Sequence, residues 1–313
     1  MKFVVTVDTE ANYQRTGKDD VSLDNIEYLP RFQELCEKHN HKPTYLVSHE
    51  VASDESSVEI IAEWQDRGVA EIGAHLHPWT APPIDEKKDT DLRFPSELSD
   101  EELKNKLRTL TEVIKNNFSV SPTSYRAGRW GIDERQLRII SDLGYVVDSS
   151  VTPGINWRDT KGSKEGTGGP DFRMESVYPS VKHGILEVPM TILNTGFIKK
   201  ENSFFVKYIR GLNTGFYKKI LNKIFCQQRW LRVFDTSVLE HWDSIYKSAV
   251  KNDLPVVQFM IHSSELMPGG TPYNKTKQDV EKVYEHIEYI FALMRDKKLQ
   301  SVGLTQFAEE YNG

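Results

Sequence analysis

The sequence is short of the features that mark secreted, membrane-spanning or nucleic-acid-binding proteins. It has only two cysteines, Cys36 and Cys226. They stand far apart without metal-type spacing, so neither a disulfide framework nor a thiolate metal site is expected, and a reducing compartment is the simpler reading. No apolar run reaches the length that crosses a bilayer, and the run at residues 3–7 is too short for the core of a secretory signal. A cytoplasmic protein is therefore expected, with membrane-peripheral contact as the open alternative. An excess of positive charge is missing as well. The 40 Lys and Arg against 46 Asp and Glu leave a net charge of -6, which argues against nucleic acid as a partner. Internal repeats and low-complexity segments are absent. What remains is an ordinary globular composition, 38% apolar and 27% charged, and 313 residues are enough for one α/β barrel.

Short apolar runs alternate with longer helical patterns, which predicts repeated βα units around a parallel sheet. Residues 3–7 read as the first strand, 43–47 as the second and 69–73 as the third. Residues 123–125 lead into Arg126, 145–147 end at Asp148, and 186–190 and 256–261 supply later strands. Helices are expected over 25–39, 57–67, 133–143 and 277–297. Ser99 followed by Glu102 is a capping-box pattern opening a helix that reaches about residue 116. A strand over 301–303 and a last helix capped by Thr305 close the chain.

Two stretches break the rhythm. Residues 157–172, rich in Gly, Lys and Asp, read as a long loop. Residues 199–232 carry nine Lys or Arg and a single acid, Glu201, interleaved with Phe204, Phe205, Tyr208, Phe216, Tyr217 and Phe225. They read as a basic helical insertion, at about 195–240, in a single domain spanning 1–313. The insertion is expected to pack on the barrel with a solvated basic face. The sharper alternative is a surface for anionic lipid headgroups or a phosphate-bearing substrate.

Three clusters carry chemistry. Asp8 and Glu10 follow the first strand, and alternation puts both carboxylates on one side, where one could bind a cation while the other accepts a proton from water. His75 and His77 are two residues apart at the end of an apolar run, so their imidazoles share a face and can converge on one metal ion. Pro78 stops further pairing, and Trp79 offers an apolar wall or a sugar-stacking platform. His262 ends the buried run 256–261, where a parallel barrel gathers its active-site groups. Asp148 and Arg126 also stand at strand ends, and each reads equally well as a structural charge.

Taken in order, these segments resemble the polysaccharide deacetylase (NodB-homology) family. Thr6-Val7-Asp8-Thr9-Glu10 resembles its Thr-Phe-Asp-Asp-Gly motif in an Asp-x-Glu form. Glu71-Ile72-Gly73-Ala74-His75-Leu76-His77-Pro78 resembles its His-x-x-x-His-Pro motif shortened by two residues. Tyr125-Arg126-Ala127-Gly128-Arg129-Trp130-Gly131 resembles the arginine-containing third motif, and Gly144-Tyr145-Val146-Val147-Asp148-Ser149-Ser150 a variant of the fourth. Phe259-Met260-Ile261-His262 resembles the Leu-x-Leu-x-His motif. The resemblance runs from Thr6 to about Phe307, apart from the insertion.

The resemblance implies a distorted (β/α) barrel, commonly seven-stranded, and metal-dependent removal of an N-acetyl group from a sugar or polysaccharide precursor, in surface polysaccharide biosynthesis. The implied cofactor is one divalent ion, zinc first, with cobalt, nickel, manganese or iron as alternatives. Its implied ligands are Glu10, His75 and His77. Asp8 is the implied general base, His262 the acid that protonates the leaving amine, Arg126 the residue holding the base, and Asp148 the residue orienting His262. Trp79, Arg129 and Trp130 are candidate substrate contacts. The implied partner is an acetylated carbohydrate, nucleotide- or lipid-linked in one version. Two departures matter: the family's second acid falls on Thr9, which leaves Glu10 or Asp8 as the carboxylate ligand, and the His-x-His spacing is contracted. Within the same superfamily an amidohydrolase acting on a small C–N substrate is the alternative, and an inactive carbohydrate-binding barrel is another.

Overall fold

The computed structural model describes residues 1–12, 22–85, 92–158, 160, 168–212, 215–234 and 236–311. Its strands are β1 (Lys2–Thr9), β2 (Pro43–Val47), β3 (Glu71–Leu76), β4 (Ser124–Ala127), β5 (Val147–Asp148), β6 (Ser180–Lys182), β7 (Ile185–Glu187), β8 (Ile192–Asn194), β9 (Gln228–Trp230), β10 (Val256–His262) and β11 (Gln300–Ser301). Seven of them run parallel in the order β10-β1-β2-β3-β4-β5-β7; β6 adds an antiparallel edge, and β11 pairs with β1. In a flat sheet β5 and β10, five places apart, would be separated by about 24 Å. Instead Ser149, just past β5, and Gln258 on β10 exchange hydrogen bonds of 3.0 and 2.8 Å. The sheet is therefore curled into the distorted barrel that the family resemblance implies. Its gap between β7 and β10 is bridged by Gln258 N–H donating to Thr191 Oγ1 at 2.7 Å and by Met260 N–H donating to the Leu231 carbonyl at 3.4 Å.

Strand alternation sorts the side chains into two sets. The outward set, including Val5, Val7, Tyr45, Ile72, Ala74 and Tyr125, packs under the helices in the main core. The inward set fills the barrel in layers. At its floor Val4, Leu46, Val147, Leu186 and Val256 pack against Leu304 and Phe307 of the last helix, Leu304–Glu310. Above them lies a polar layer of Thr6, Arg126, Ser149 and Gln258, joined by side-chain hydrogen bonds of 2.8–3.2 Å. The candidate site forms the top layer.

Local signals mostly give the elements expected. Ser99 and Glu102 form the capping box, and the helix it opens, Asp100–Phe118, ends where Ser119 turns left-handed at φ 56°. The helix expected over 25–39 is divided into a 3-10 turn, Asp24–Tyr28, and an α-helix, Leu29–Lys38. Thr305 is not the cap of the last helix: that position is Gly303. The half-buried Glu71 carboxylate accepts from the Thr305 N–H and hydroxyl, so a side chain from β3 satisfies the helix start in place of a local cap. The basic insertion folds as helices Phe204–Gly211 and Phe216–Leu221, a π-turn at Asn222–Cys226, and β9, which pairs with β8.

Candidate metal and acid–base site

Parallel register brings the site together. Asp8 on β1 stands beside His262 on β10, and His75 on β3 stands beside Arg126 on β4. All four side chains point inward at the top of the barrel. Glu10 and His77, each two residues beyond a partner in sequence, continue on the same side.

Glu10, His75 and His77 present one ligand atom each, all within 4.8 Å of one another. Glu10 Oε2 is 2.6 Å from His77 Nε2 and 3.6 Å from His75 Nε2. Ligands at tetrahedral corners around a zinc-sized ion are about 3.3 Å apart, so these separations bracket what a small divalent ion requires. His75 Nδ1 lies 3.0 Å from the Arg126 carbonyl oxygen, an acceptor only. The proton is thereby fixed on Nδ1, and Nε2 faces Glu10, the orientation a ligating histidine needs. Burial lowers this imidazole, but Asp8 and Glu10 outweigh it and hold it above its usual value, so a cation bound here would displace the Nε2 proton. Burial holds the His77 imidazole below its usual value and so keeps it neutral, against the pull of Glu10. For Glu10, burial pushes upward, but the two imidazoles outweigh it and hold the carboxyl well below the carboxylate range. The residues present thus fit a divalent cation. The contracted His-x-His spacing still allows convergence because the rings stand at 88° with centroids 4.8 Å apart. Gly128 permits that packing, since a Cβ there would lie 2.4 Å from His77 Nδ1.

Asp8 is engaged differently. Its Oδ1 accepts from Arg126 Nη1, and Arg126 is itself fully buried, donating also to the Ser149 carbonyl at 2.7 Å and to Thr6 Oγ1 at 2.9 Å. Burial alone would raise the Asp8 carboxyl, but Arg126, then His75 and His262, bring it below its ordinary value. Asp8 is therefore an ionised carboxylate with one oxygen tied to arginine and Oδ2 turned to the site.

His262 Nε2 is 3.7 Å from Asp8 Oδ2 and 3.7 Å from Glu10 Oε1. Its other nitrogen, Nδ1, lies between a donor and an acceptor: Arg232 Nη2 at 2.7 Å and Glu265 Oε2 at 3.6 Å. Arg232 also donates to Glu265 Oε1 at 2.9 Å, and the Tyr273 hydroxyl donates to the same oxygen. Burial works against the Glu265 anion, yet Arg232 and His262 more than offset it and keep Glu265 ionised. Neither Arg232 nor Glu265 was among the expected site residues. Arg232 comes from the return arm of the insertion, 30 residues before His262, with no motif to mark it. Glu265 could have been noticed as an acid three residues beyond a strand-end histidine.

The expected partnership of Asp148 with His262 is not formed. Asp148 is in register with Tyr125, not with Arg126, so alternation turns it to the outer, helix-facing side of the sheet. There it accepts from Ser150 Oγ at 2.7 Å and Ser150 N–H at 3.1 Å, and it shares a hydrogen bond with Glu187, its register partner on β7. Two carboxyls can bond in this way only if one keeps a proton. Burial raises both, Glu187 well above the usual range. Asp148 reaches the site only indirectly, since Ser150 Oγ in turn accepts the Ala127 N–H at 2.9 Å and so fixes the end of β4.

At the mouth, the Trp79 ring lies 4.4 Å from the His77 ring. Arg129 and Trp130 both adopt left-handed backbone, at φ 53° and 64°, in the turn following β4. Arg129 is exposed and within the field of Glu10, whereas Trp130 is buried, 5.3 Å from Arg126 Cζ and 5.4 Å from the Trp230 ring. Trp230 and Phe234, which continue this aromatic row, also come from the insertion or its edge.

No family model and no curated protein matches the sequence. Solved structures do match in fold. A presumed polysaccharide deacetylase from Mycobacterium smegmatis aligns over 98% of this chain and 88% of that one, with a TM-score of 0.55 and 15% identity. A GH57 branching enzyme from Thermococcus kodakaraensis aligns over 100% of this chain and 71% of that one, with a TM-score of 0.55 and 11% identity. A CE4 family pseudoenzyme from Bacillus anthracis aligns over 99% and 66%, with a TM-score of 0.46 and 11% identity; a score that low carries no argument. The chain has the fold of the polysaccharide deacetylases, in agreement with the resemblance of its motifs. A branching enzyme fits equally well, so fold by itself does not choose the reaction.

Proposed function

We propose that the protein is a metal-dependent deacetylase that hydrolyses the N-acetyl group of a sugar in a polysaccharide precursor, in surface polysaccharide biosynthesis. The observation that carries this reading is the convergence of Glu10, His75 and His77 beside an arginine-held carboxylate, Asp8, and a strand-end histidine, His262. A two-carboxylate glycosidase needs no imidazole pair, and here both carboxylates are already engaged, Asp8 by Arg126 and Glu10 by the histidines.

Glu10, His75 and His77 would hold a divalent ion, zinc first by ligand type, which supplies Lewis acidity toward water and an acyl oxygen. Asp8 Oδ2 takes the proton of the attacking water, while Arg126 keeps the carboxylate ionised and oriented. His262, in its cationic form, gives the Nε2 proton to the leaving nitrogen and keeps the one on Nδ1, directed at Glu265. Arg232 holds the ring when Nδ1 is bare. The proton taken by Asp8 and the one lost by His262 balance in each turnover. Asp148 contributes as a positioning residue, through Ser150 and the end of β4. Trp79, Arg129 and Trp130 are the proposed sugar contacts, joined by Trp230. A nucleotide- or lipid-linked substrate agrees with the basic insertion beside this mouth.

The test is metal analysis together with acetate release from a panel of free, nucleotide-linked and lipid-linked N-acetyl sugars. Near-stoichiometric metal is expected, with release abolished by chelation and restored by added metal. Glu10→Gln is expected to lower occupancy. Acetate release that survives chelation would overturn the reading, and so would a metal-replete protein that releases acetate from none of the panel.

A further inference from the structure

Surface helices normally turn their polar side to water, and the helices of the insertion do not. In Phe204–Gly211 the inner positions Val206 and Ile209 are buried, whereas Phe204 is 86% and Tyr208 54% exposed. In Phe216–Leu221, Phe216 is 79% and Tyr217 78% exposed. Among the described residues, the four most exposed large apolar side chains are Phe204, Phe197, Phe216 and Tyr217. Single exposed apolar residues are ordinary, but four concentrated in one short segment are the mark of an interaction surface. The inner sides of both helices pack on one small core of Val206, Ile209 and Cys226 with Phe205, Leu221 and Phe225. Their outer aromatics are thus held outward by the fold.

The charge on this face is of one sign. Lys207 stands between Phe204 and Tyr208 on the outer side of its helix, and Lys200 and Lys223 are also exposed. The only acid in 199–232, Glu201, is buried against Arg210 at 2.6 Å and accepts from the Asn194 N–H as well. No carboxylate of the segment is therefore left to offset its lysines.

We infer that this face docks on an anionic lipid bilayer, with Phe204, Phe216 and Tyr217 at the level of the headgroups and acyl-chain ends and the lysines against lipid phosphates. Charge selects this occupant over a second copy of the chain. Pairing two copies here would set the exposed Lys200, Lys207 and Lys223 of one against those of the other, with no carboxylate of the segment to offset them. Among the described residues no helix is long and apolar enough to cross a membrane, so the contact is peripheral. The inference is independent of the reaction proposed above.

The test is co-sedimentation of the full chain with vesicles of phosphatidylcholine alone and of phosphatidylcholine mixed with phosphatidylglycerol, at ~0.1 M and ~1 M salt. Binding is expected to the mixed vesicles at low salt, with little to the neutral ones and strong weakening at high salt. The variant Phe204→Ser/Phe216→Ser/Tyr217→Ser is expected to bind about tenfold or more weakly, and so is Lys207→Glu/Lys223→Glu. Melting temperatures near that of the parent would show both folded; if the aromatic variant does not fold, the charge-reversal pair decides. Absence of binding by the parent protein to the mixed vesicles, or unchanged binding by the folded variants, would overturn the inference. A dimer in vesicle-free buffer that the aromatic substitutions dissolve would overturn it too, assigning the face to a second copy.

Discussion

Two pairs of carboxylic acids, all buried except the half-buried Glu10, lie at strand ends of this barrel, and they are held in opposite protonation states. Asp8 and Glu10 face inward, where Arg126 and three imidazoles surround them, and both stay ionised despite burial. Asp148 and Glu187 face outward beneath the helices, where each is the other's nearest ionisable partner, and burial leaves them sharing a proton. Residue type and depth are nearly the same in the two pairs. What differs is the face of the strand, and through it the charge of the neighbours. One position along β5 separates Asp148 from Ser149, which does face Arg126. That single step decides whether a carboxylate at this strand end could join the chemistry.

The strongest way to break the contrast is Arg126→Met. It strips Asp8 of its buried counter-charge and is expected to lower unfolding free energy by about 3–5 kcal/mol in denaturant titrations. Turnover of an N-acetyl sugar should fall by at least ~100-fold. A variant as stable as its parent would show that the pairing is not what keeps Asp8 ionised.

A smaller effect is expected at His262, where the neighbours can be removed one at a time. Arg232 and Glu265 hold the ring from its Nδ1 side, at 2.7 and 3.6 Å. Arg232→Met and Glu265→Gln should therefore each lower kcat/KM about tenfold with KM little changed. Unchanged turnover in both folded variants would mean that these residues merely support the fold.

The least expected change is Glu187→Gln, which mimics the protonated acid. Because the folded value of Glu187 is raised, the stability it contributes is fully present below the ordinary carboxylate range and is lost as pH rises through the folded value. Glu187→Gln should remove that loss, gaining roughly 1–2 kcal/mol at alkaline pH and nothing near pH 3. Equal stability of parent and variant across this range would contradict the shared proton.

Much of the frame was legible in advance because its signals are local. The capping box at Ser99, the buried strand runs, and the shared face of His75 and His77 follow from neighbours within four residues. Other features were not legible. Thr305 looked like a cap because a threonine before a helix usually is one, but Glu71 from a distant strand takes over that duty. Asp148 looked like a partner for His262 because both end strands. Its register against Tyr125 puts it on the wrong side. Arg232 carried no signal, since it sits in an irregular arm that reaches His262 only once the barrel is closed.

The sequence by itself determined which residues could do chemistry: two inward-capable carboxylates at the end of the first strand, two imidazoles at period two, and a histidine ending a buried strand. Those properties depend on side-chain type and on alternation along a single strand. Tertiary structure alone decided which of them meet and in what charge state. Parallel register set Asp8 beside His262 and Asp148 beside Glu187, and curling brought Arg126 to Asp8 and the insertion's Arg232 to His262. A carboxyl group's charge in a barrel depends on neighbours contributed by other strands, and those neighbours are fixed only when the sheet has folded around them.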